Sequence, residues 1–378
     1  MTATPHVPEP DDAAPLAVRR LTPAELLEEL AVPWTDEAWS PLHGGGLVVV
    51  EQRRPLDAGS PTAAAAAAIP ADRPRNFVLV VVDPDGALPT GLEGHADVLL
   101  TAAASPPAPW VAVGDDTVEA VVDELAAAVQ ASPMASVALA QLLSVGERAT
   151  LEQAVVLESL TYSTLLGGPE FLAWRAARPV KVRPADPRPL VRVERFADEL
   201  HVALSRARVH NAYSAALRDE LVEALRLVAA DRSLRRVVLR GEGPSFCSGG
   251  DLDEFGTTPD PATAHLVRWA RSAAVLVHRS ADRIEAHLHG ACIGAGIEIP
   301  AAAGRVVARA DTVIQLPEVA MGLVPGAGGT ATIPRRIGRH RTCFMGLTGR
   351  RIDPATARAW GLVDDVVDEL PDGAAAPS

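Results

Sequence analysis

The sequence predicts an α/β protein built from two regions, and three observations carry that prediction. Strand-like and helix-like segments alternate after about residue 190, which is the pattern of α/β folds. Continuous Val and Leu runs within residues 46–115 are typical of strands covered on both faces. Apolar residues recur at three- and four-residue spacing between residues 116 and 178, as in amphipathic helices. We therefore expect the main α/β domain in the C-terminal half, preceded by a smaller α/β region and a helical module.

The first half divides into several stretches. Residues 1–20 are acidic and proline-rich, and we expect a disordered lead-in there. Residues 21–115 form the smaller α/β region, with strands at GLVVVEQ, NFVLVVVDP and ADVLLTAA. Residues 116–180 form the helical module, whose first helix is capped by Asp116 or Thr117. Residues 181–190 are rich in proline and are expected to be a linker.

The second half, residues 191–370, begins with a predicted hairpin that turns at residues 197–199. An amphipathic helix follows with Ser214 as its N-cap. RRVVLRGEG is a predicted strand, residues 260–278 a second helix and RIEAHLHG a further strand. Phe255 precedes the second helix and Trp269 lies within it, and both either line a ligand pocket or pack in the core. Residues 371–378 form a short tail.

Composition narrows the class of partner and the compartment. The formal charge of −13 argues against nucleic acid, because phosphate binding needs a basic face. The only lysine is Lys181, so we expect arginine, helix N-termini or backbone amides to recognise any phosphate. Three cysteines without CxxC spacing predict neither a disulfide framework nor a zinc site. No long apolar run or basic signal segment occurs, so the sequence predicts a cytoplasmic protein without a membrane partner.

Three glycine-rich junctions follow predicted strands, at GPSFCSGGDLDEF, HGACIGAGIEI and LPEVAMGLVPGAGGT. Glycine at one such junction usually marks only a turn. The first two junctions, however, can present backbone N–H groups near Ser248 and Ala295 without steric obstruction. Two converging amides are what an enolate or thioester oxyanion requires. A helix that begins near Gly294 would add its dipole to the same field.

Two glutamates accompany these junctions. Glu298 lies three residues after Ala295, and Glu318 follows the strand-like run TVIQLPE twenty residues later. A pair of carboxylates beside an oxyanion hole can serve as acid and base when their environments separate their pKa values. From composition alone, both could equally be surface glutamates.

As a set, five segments resemble the enoyl-CoA hydratase/isomerase (crotonase) superfamily, in the family's order. They are RARVHNAYSAALRDEL, GPSFCSGGDL, HGACIGAGIEI, LPEVAMGLVPGAGGT and LTGRRIDPATARAWGLVDDVV. The resemblance implies a spiral of ββα units and an oxyanion hole formed by the N–H groups of Ser248 and Ala295. It also implies that Glu298 and Glu318 flank the double bond of an acyl-CoA substrate.

The resemblance further suggests which residues contact the substrate and its coenzyme A. By position in the motifs, these are Arg206, Arg208, Gly249, Gly250, Asp251, Leu252, Gly294, Pro325 and Gly326. Coenzyme A enters only as part of the substrate, and neither a metal nor a further cofactor is expected. Relatives commonly form trimers and hexamers, so a homo-oligomer is expected.

The chain also departs from the family pattern. Pro300 lies two residues after Glu298. Because proline lacks an N–H and is tolerated only in the first turn of a helix, the sequence does not fix the direction in which the Glu298 side chain points. The strand RIEAHLHG is unusually polar. The family's C-terminal helices are absent after residue 370, whereas residues 116–178 resemble them. We interpret the first half as a degenerate crotonase-like unit without a second active site, whose helices cap the core; an unrelated helical domain is the alternative.

Retention of the glutamate pair favours hydration of a 2-enoyl-CoA, or the reverse dehydration, over other chemistry of the family. The enzymatic alternatives are double-bond isomerisation and cofactor-independent oxygenation of an aryl-acetyl-CoA. Some oxygenases of the family carry a long N-terminal extension, but they lack the glutamate pair. A non-catalytic acyl-CoA-binding subunit is the third alternative.

Overall fold

The computed structural model describes residues 18–70, 73–181 and 188–371. Most of the predicted lead-in, the centre of the predicted linker and nearly all of the predicted tail lie outside the described residues. Within them, the α/β class predicted from the sequence is confirmed, with parallel pairing in every sheet.

The strands of the described residues are β1 (Arg19–Leu21), β2 (Leu47–Glu51), β3 (Val78–Asp83), β4 (Val98–Thr101), β5 (Val111–Ala112), β6 (Val191–Phe196), β7 (Glu199–Leu204), β8 (Arg236–Gly241), β9 (Ile284–Leu288), β10 (Ala291–Ile293), β11 (Arg305–Arg309), β12 (Val313–Gln315) and β13 (Asp365–Val367). The helices are α1 (Pro23–Leu30), α2 (Thr35–Ala38), α3 (Pro61–Ala68), α4 (Val118–Ala131), α5 (Pro133–Gly146), α6 (Leu151–Leu166), α7 (Pro169–Ala176), α8 (Ala215–Ala230), α9 (Pro261–Ala270), α10 (Ala273–Arg279), α11 (Ala295–Glu298), α12 (Gly329–Thr332), α13 (Pro334–Ile337), α14 (Arg339–Thr348) and α15 (Pro354–Trp360).

The chain folds into two compact units. Unit 1 comprises residues up to Val145 together with the helix α14, and unit 2 comprises residues 146–338 and those after 348. Unit 1 holds a five-stranded parallel sheet in the order β1-β2-β3-β4-β5. Its Val- and Leu-rich strands β2, β3 and β4 are almost entirely buried, as expected for strands covered on both faces.

The helix α14 belongs to unit 1, although the sequence places residues 339–348 in the main domain. Its polar side chains explain this assignment, because they satisfy carbonyl groups of the unit 1 loops. Arg339 donates to the carbonyls of Gly94 and Ala96 at 2.6 and 2.7 Å, and Nε2 of His340 lies 2.9 Å from the carbonyl of Glu93. Buried guanidinium groups need such acceptors.

Unit 2 contains a six-stranded sheet in the order β13-β11-β9-β8-β7-β6 and a two-stranded sheet of β10 and β12. Among the paired strands of the described residues in unit 2, only β6 and β7 are antiparallel, and their hairpin turns at the predicted position. Successive strand pairs contribute one strand to each sheet, so that β9 and β11 pair in one while β10 and β12 pair in the other. A bridge between Cys247 and Cys292 extends the small sheet. This two-layer repeat is the expected spiral of ββα units.

The predicted helical module is divided between the two units. Helices α4 and α5 belong to unit 1, whereas α6 and α7 belong to unit 2. In unit 2, Leu151, Ala154 and Val155 of α6 form a buried cluster with Val275 and Ala331 of the main domain. The N-terminal ends behave as predicted: the side chain of Thr117 caps α4 and that of Ser214 caps α8.

The polar strand β9 lies in the interior of the six-stranded sheet. Its His287 contacts Glu285 at 2.7 Å, and Arg236 of β8 bridges Glu285 and Glu199 of β7. His201, next to Glu199 on the same face, pairs with that glutamate. Cross-strand partners of opposite charge stabilise neighbouring strands, which explains how this sequence is accommodated within a sheet.

None of the helices in the described residues has both the length and the apolar character to span a membrane alone; the bent pair of α4 and α5 meets the requirement only when the two are taken together.

Candidate active site

One pocket in unit 2 brings together both predicted glutamates and the predicted amide of Ala295. The predicted helix 260–278 is interrupted, since α9 ends at Ala270 and Ser272 caps α10; α9 forms part of the wall. Phe255 lines the pocket, whereas Trp269 packs beside the α6 cluster. The lining includes Val155, Glu158, Tyr162, Leu166, Tyr213, Gly250, Asp251, Phe255, Val267, Arg268, Ala295, Glu298, Glu318, Gly326, Ala327 and Gly328.

Glu298 ends the short helix α11 and is buried in the pocket wall. Pro300 does not turn it away, because the proline begins a separate 3-10 turn, Pro300–Ala302, after the glutamate. Oε2 of Glu298 accepts hydrogen bonds from the N–H groups of Ala327 and Gly329, at 2.7 and 2.9 Å. Oε1 has no hydrogen-bond partner among the described residues. Burial raises the pKa of Glu298 to about 7, and the two N–H donors oppose that shift.

Glu318 begins a 3-10 helix, Glu318–Met321, and is also buried. Its Oε2 atom is enclosed and has no hydrogen-bond partner in the part of the chain that the structure describes. Burial, followed by the charge of Glu298, holds the pKa of Glu318 well above its ordinary value. A carboxyl group in such an environment is favoured in its protonated form.

Gly294 separates the two carboxylates and explains why this position carries no side chain. A Cβ there would collide with Oε1 of Glu318 and lie 3.6 Å from Oε1 of Glu298. The backbone of Gly294, with φ of 50° and ψ of −120°, is also one that other residues rarely adopt. The Oε1 atoms of both glutamates therefore face one small volume, in agreement with the sequence-based pairing.

Glu158 of α6 is a third buried carboxylate in the pocket, and the sequence analysis missed it. Its side chain is 1% exposed. Oε1 accepts from the N–H of Gly328 at 2.7 Å, and Oε2 accepts from the N–H and the hydroxyl of Thr330 at 2.8 and 2.7 Å. Burial and the charge of Glu298 raise its pKa to about 8, against the effect of these donors. One signal was present in the sequence: Glu158 interrupts an apolar stripe of α6, where an unpaired glutamate is rare.

The loop 327–330 holds both of these glutamates through four consecutive amides. The N–H groups of residues 327 and 329 point to Glu298, and those of residues 328 and 330 point to Glu158. A side chain at Gly329 would meet Cγ of Glu298 at 2.6 Å, and one at Gly328 would meet Cβ of Ala274 at 2.5 Å. The glycines of the third junction thus allow the backbone to approach two carboxylates at once. Successive N–H groups of this kind form an anion-binding nest.

The two N–H groups predicted to bind the oxyanion differ in their hydrogen bonding. The N–H of Ala295, at the start of α11, has no hydrogen-bond partner among the described residues and lines the pocket. The N–H of Ser248 donates to the carbonyl of His210 at 2.9 Å. His210 has a left-handed backbone with φ of 53°, and that turn brings its carbonyl to Ser248. Of the two amides, only that of Ala295 is unoccupied.

A second pocket adjoins the first and shares Gly250 and Asp251 with it. Its lining includes Trp174, Arg178, Lys181, His210, Ser248, Leu252 and Asp253. The guanidinium of Arg178 lies over the Trp174 ring, 5.6 Å from its centroid. Lys181, which the sequence analysis set aside, therefore stands beside the first glycine junction.

Several predicted substrate contacts have other roles in the structure. Arg206 forms an ion pair with Asp251 at 2.7 Å and donates to the carbonyl of Ala212, so its guanidinium holds the first junction together. Arg208 is exposed and lines neither pocket. Gly249 packs against the carbonyl of Ile293. Pro325 is buried next to Gly326, at which a side chain would collide with the Tyr162 ring.

Comparison with known proteins gives the family. Residues 199–372 match the enoyl-CoA hydratase/isomerase family. Mevalonyl-coenzyme A hydratase SIDH of Beauveria bassiana is 34% identical over 178 residues, which are 45% of this chain and 64% of that protein. Enoyl-CoA isomerase/hydratase fer4 of Mycosarcoma maydis is 31% identical over 175 residues, 44% of this chain and 64% of that protein. The crystal structure of enoyl-CoA hydratase from Thermoplasma volcanium GSS1 aligns with 48% of this chain and 73% of that chain, at 32% identity and a TM-score of 0.45.

These matches place residues 199–372 in the enoyl-CoA hydratase/isomerase family, and the resemblance to the crotonase superfamily predicted from the motifs is confirmed. The chain spans less than two thirds of the length of these two curated relatives. The matched residues include the glycine junctions, Glu298 and Glu318, but neither unit 1 up to Val145 nor the helix α6 with Glu158. The degenerate crotonase-like origin of the first half stays a prediction.

The geometry of Gly294 leads to a prediction about the glutamate pair. We expect Gly294→Ala to displace Glu318 and to lower kcat by about 100-fold, the size of effect that a misplacement of 1 Å can produce. Steady-state kinetics with a 2-enoyl-CoA would measure it. Gly361→Ala is the matched control, because Gly361 also has positive φ but its nearest neighbour is the carbonyl of Arg336 at 3.5 Å. Full activity in Gly294→Ala would show that the two carboxylates need not lie where the structure has them.

Proposed function

We propose that this pocket catalyses the syn-hydration of a 2-enoyl-CoA, or the reverse dehydration. The observation that carries the proposal is the convergence of two buried carboxyl groups with different environments beside the free amide of Ala295. Glu298 has two N–H donors on one oxygen, whereas Glu318 has none on its enclosed Oε2. Environments that separate the pKa values of two carboxyls are what acid and base roles require.

Glu298 is the proposed base. Its two backbone donors favour the carboxylate form and fix Oε2, which leaves Oε1 to face the pocket. In the hydration direction Oε1 takes a proton from water as the water oxygen bonds to Cβ of the substrate. The electrons of the double bond pass to the thioester, which becomes an enolate.

Glu318 is the proposed acid. Burial without a donor on Oε2 favours its protonated form, so that it can give a proton to Cα as the enolate collapses. The cycle then needs a proton to return from Glu298 to Glu318. Their Oε1 atoms face the same volume at Gly294, which provides a short path for that return.

The developing enolate oxygen is assigned to the N–H of Ala295, reinforced by the amides at the start of α11. Ser248 is the second donor by its position in the family motif. Because its N–H bonds to the carbonyl of His210 at 2.9 Å, it would have to share or exchange that partner when the thioester binds.

The second pocket is the proposed place of the coenzyme A moiety. Arg178 and Lys181 supply positive charge for phosphate, and Trp174 supplies an aromatic face. Arg178 and Lys181 thus replace Arg206 and Arg208, which the sequence predicted to contact coenzyme A. Gly250 and Asp251 border both pockets, so the thioester would lie where the two pockets meet.

The pKa values of the two glutamates give an expected pH profile. The base Glu298 must be deprotonated, so kcat/KM should fall below a pH of about 7 instead of near the ordinary glutamate value of 4.5. The acid Glu318 must be protonated, and because burial raises its pKa its limb should appear at higher pH. The profile of kcat/KM with a 2-enoyl-CoA should therefore be bell-shaped. Activity that stays constant from pH 5 to pH 8 would contradict the assignment of the base.

A non-catalytic acyl-CoA-binding subunit is the second candidate, favoured by the occupied amide of Ser248. Turnover distinguishes the two candidates. The protein should be incubated with crotonyl-CoA, with longer and aromatic enoyl-CoAs, and with enoyl-CoAs whose chain ends in a carboxylate, while the enoyl absorbance is followed. Loss of absorbance supports hydration. Retained binding of CoA esters without turnover of any of them supports the binding subunit.

A further inference from the structure

Arg268 of α9 lines the first pocket, and the described residues accept hydrogen bonds from only one of its three guanidinium nitrogens. Nη1 donates to the carbonyl and the hydroxyl of Ser159 at 3.2 and 3.3 Å, and to the hydroxyl of Ser163 at 3.0 Å. The guanidinium lies 4.1 Å from the centroid of the Tyr162 ring. Nε and Nη2 have no hydrogen-bond partner among the described residues, and neither is enclosed by protein.

Arg268 differs in this respect from the other arginines of the pocket wall. Arg218 is paired with Asp219 at 2.9 Å, and Arg271 with Glu223 at 2.6 Å. No carboxylate of the described residues lies within ion-pair distance of Arg268. Burial, the largest influence, lowers the pKa of Arg268, whereas the more distant charges of Glu158 and Glu298 oppose that shift.

The free edge of Arg268, formed by its Nε–H and Nη2–H groups, has a defined geometry. The serines and the Tyr162 ring hold the guanidinium. The Nε–H and Nη2–H of a guanidinium are parallel donors, and in Arg268, which lines the pocket, these are the two nitrogens that no described residue engages. Two parallel N–H groups match the two oxygens of a carboxylate, which a lysine ammonium cannot do. Val155, Leu166 and Val267 provide apolar wall for the methylene groups of an acyl chain.

We propose that the acyl group bound in this pocket ends in a carboxylate, which Arg268 binds through Nε and Nη2. The inference names the substrate class and rests on the proposed acyl-CoA site. An acyl chain with an apolar end would cover the edge of Arg268 and leave its donors unpaired. Sites with buried donors reject such analogues strongly, so the protein should prefer acyl groups derived from dicarboxylic acids.

The test is a binding measurement with saturated ligands, which need no turnover. Hexanedioyl-CoA, whose chain ends in a carboxylate, is compared with its terminal primary amide by titration calorimetry. We expect the wild-type protein to bind the carboxylate about 10- to 100-fold more tightly, the range for a hydrogen-bonded charged group. Arg268→Gln should abolish this preference, and Arg268→Lys should retain only part of it.

Ser163→Ala is the matched control, because it removes one contact of Nη1 but leaves the free edge, so the preference should persist. Equal binding of the two ligands by the wild-type protein would overturn the proposal, as would an unchanged preference in Arg268→Gln. Hydration assays are separate from this test. A protein that prefers the carboxylate ligand but hydrates no enoyl-CoA would sink the hydratase proposal and leave the assignment of Arg268 standing.

Discussion

Replacement of either Glu298 or Glu318 with Gln is expected to lower kcat for the hydration of a 2-enoyl-CoA by about 10²- to 10⁴-fold, the usual contribution of a general acid or base. Glutamine has nearly the same shape but cannot exchange a proton at these pH values. Because the proposed mechanism uses one residue on the water and the other on Cα, loss of either should stop the same reaction. Steady-state kinetics on both variants would measure it.

Binding of a saturated acyl-CoA should change little in either variant, because neither carboxylate lies in the second pocket. Glu152→Gln is the control for a general effect of removing a glutamate. Glu152 is exposed on α6 and pairs with Arg279 on the surface, where an ion pair contributes little. A variant at 298 or 318 with wild-type kcat would remove that residue from the mechanism. Isomerase activity that needs only one of the two residues would favour the isomerase alternative.

Glu158→Gln is also expected to lower kcat, although Glu158 touches neither the water nor Cα in the proposed mechanism. The variant keeps one acceptor oxygen but turns an NH₂ group toward the donor of Gly328 or toward those of Thr330. The amides that orient Glu298 belong to the same loop, so the base should lose its fixed position. We expect kcat to fall by about 10- to 100-fold while KM stays nearly unchanged.

The same substitution should lower the free energy of unfolding by about 1 to 3 kcal/mol, the cost of leaving buried donors unsatisfied. Thermal unfolding would measure this loss, and Glu152→Gln on the same helix should show almost none. The split between kcat and KM separates a positioning role from simple destabilisation. A destabilised Glu158→Gln protein with full kcat at a temperature where it is folded would contradict the positioning role.

The sequence predicted those parts of the site that lie within one motif. Gly294, Ala295 and Glu298 lie within five consecutive positions, and the strand β12 fixes the distance to Glu318. Their convergence therefore followed from local spacing and the family resemblance. Pro300, the residue that left the orientation of Glu298 open, also lies next to this motif. Only the structure decides that orientation, because proline is compatible with a 3-10 turn that begins after the glutamate as well as with a displaced helix.

The parts that depend on distant segments could not be predicted. Glu158 reaches the loop 327–330 from a helix outside the family match, and no local pattern shows which loop a buried glutamate will meet. Arg206 was expected at phosphate, but its partner Asp251 lies 45 residues later. The amide of Ser248 was expected to be free, yet the left-handed turn at His210 supplies a carbonyl to it. Hydrogen-bond partners of this kind are set by tertiary packing, which sequence spacing does not report.

The central claim is that Glu298 and Glu318 add water across the double bond of an enoyl-CoA. The most direct measurement is turnover in water labelled with deuterium and heavy oxygen, with mass spectrometry of the product. The substrates are crotonyl-CoA and a 2-enoyl-CoA whose chain ends in the carboxylate that Arg268 is proposed to bind. We predict one solvent deuterium at Cα and one solvent oxygen at Cβ in the wild-type product, and about 10²- to 10⁴-fold slower formation of labelled product in the Glu298→Gln and Glu318→Gln reactions. Deuterium at Cα without oxygen at Cβ, or no labelled product while the CoA ester still binds, would contradict the account.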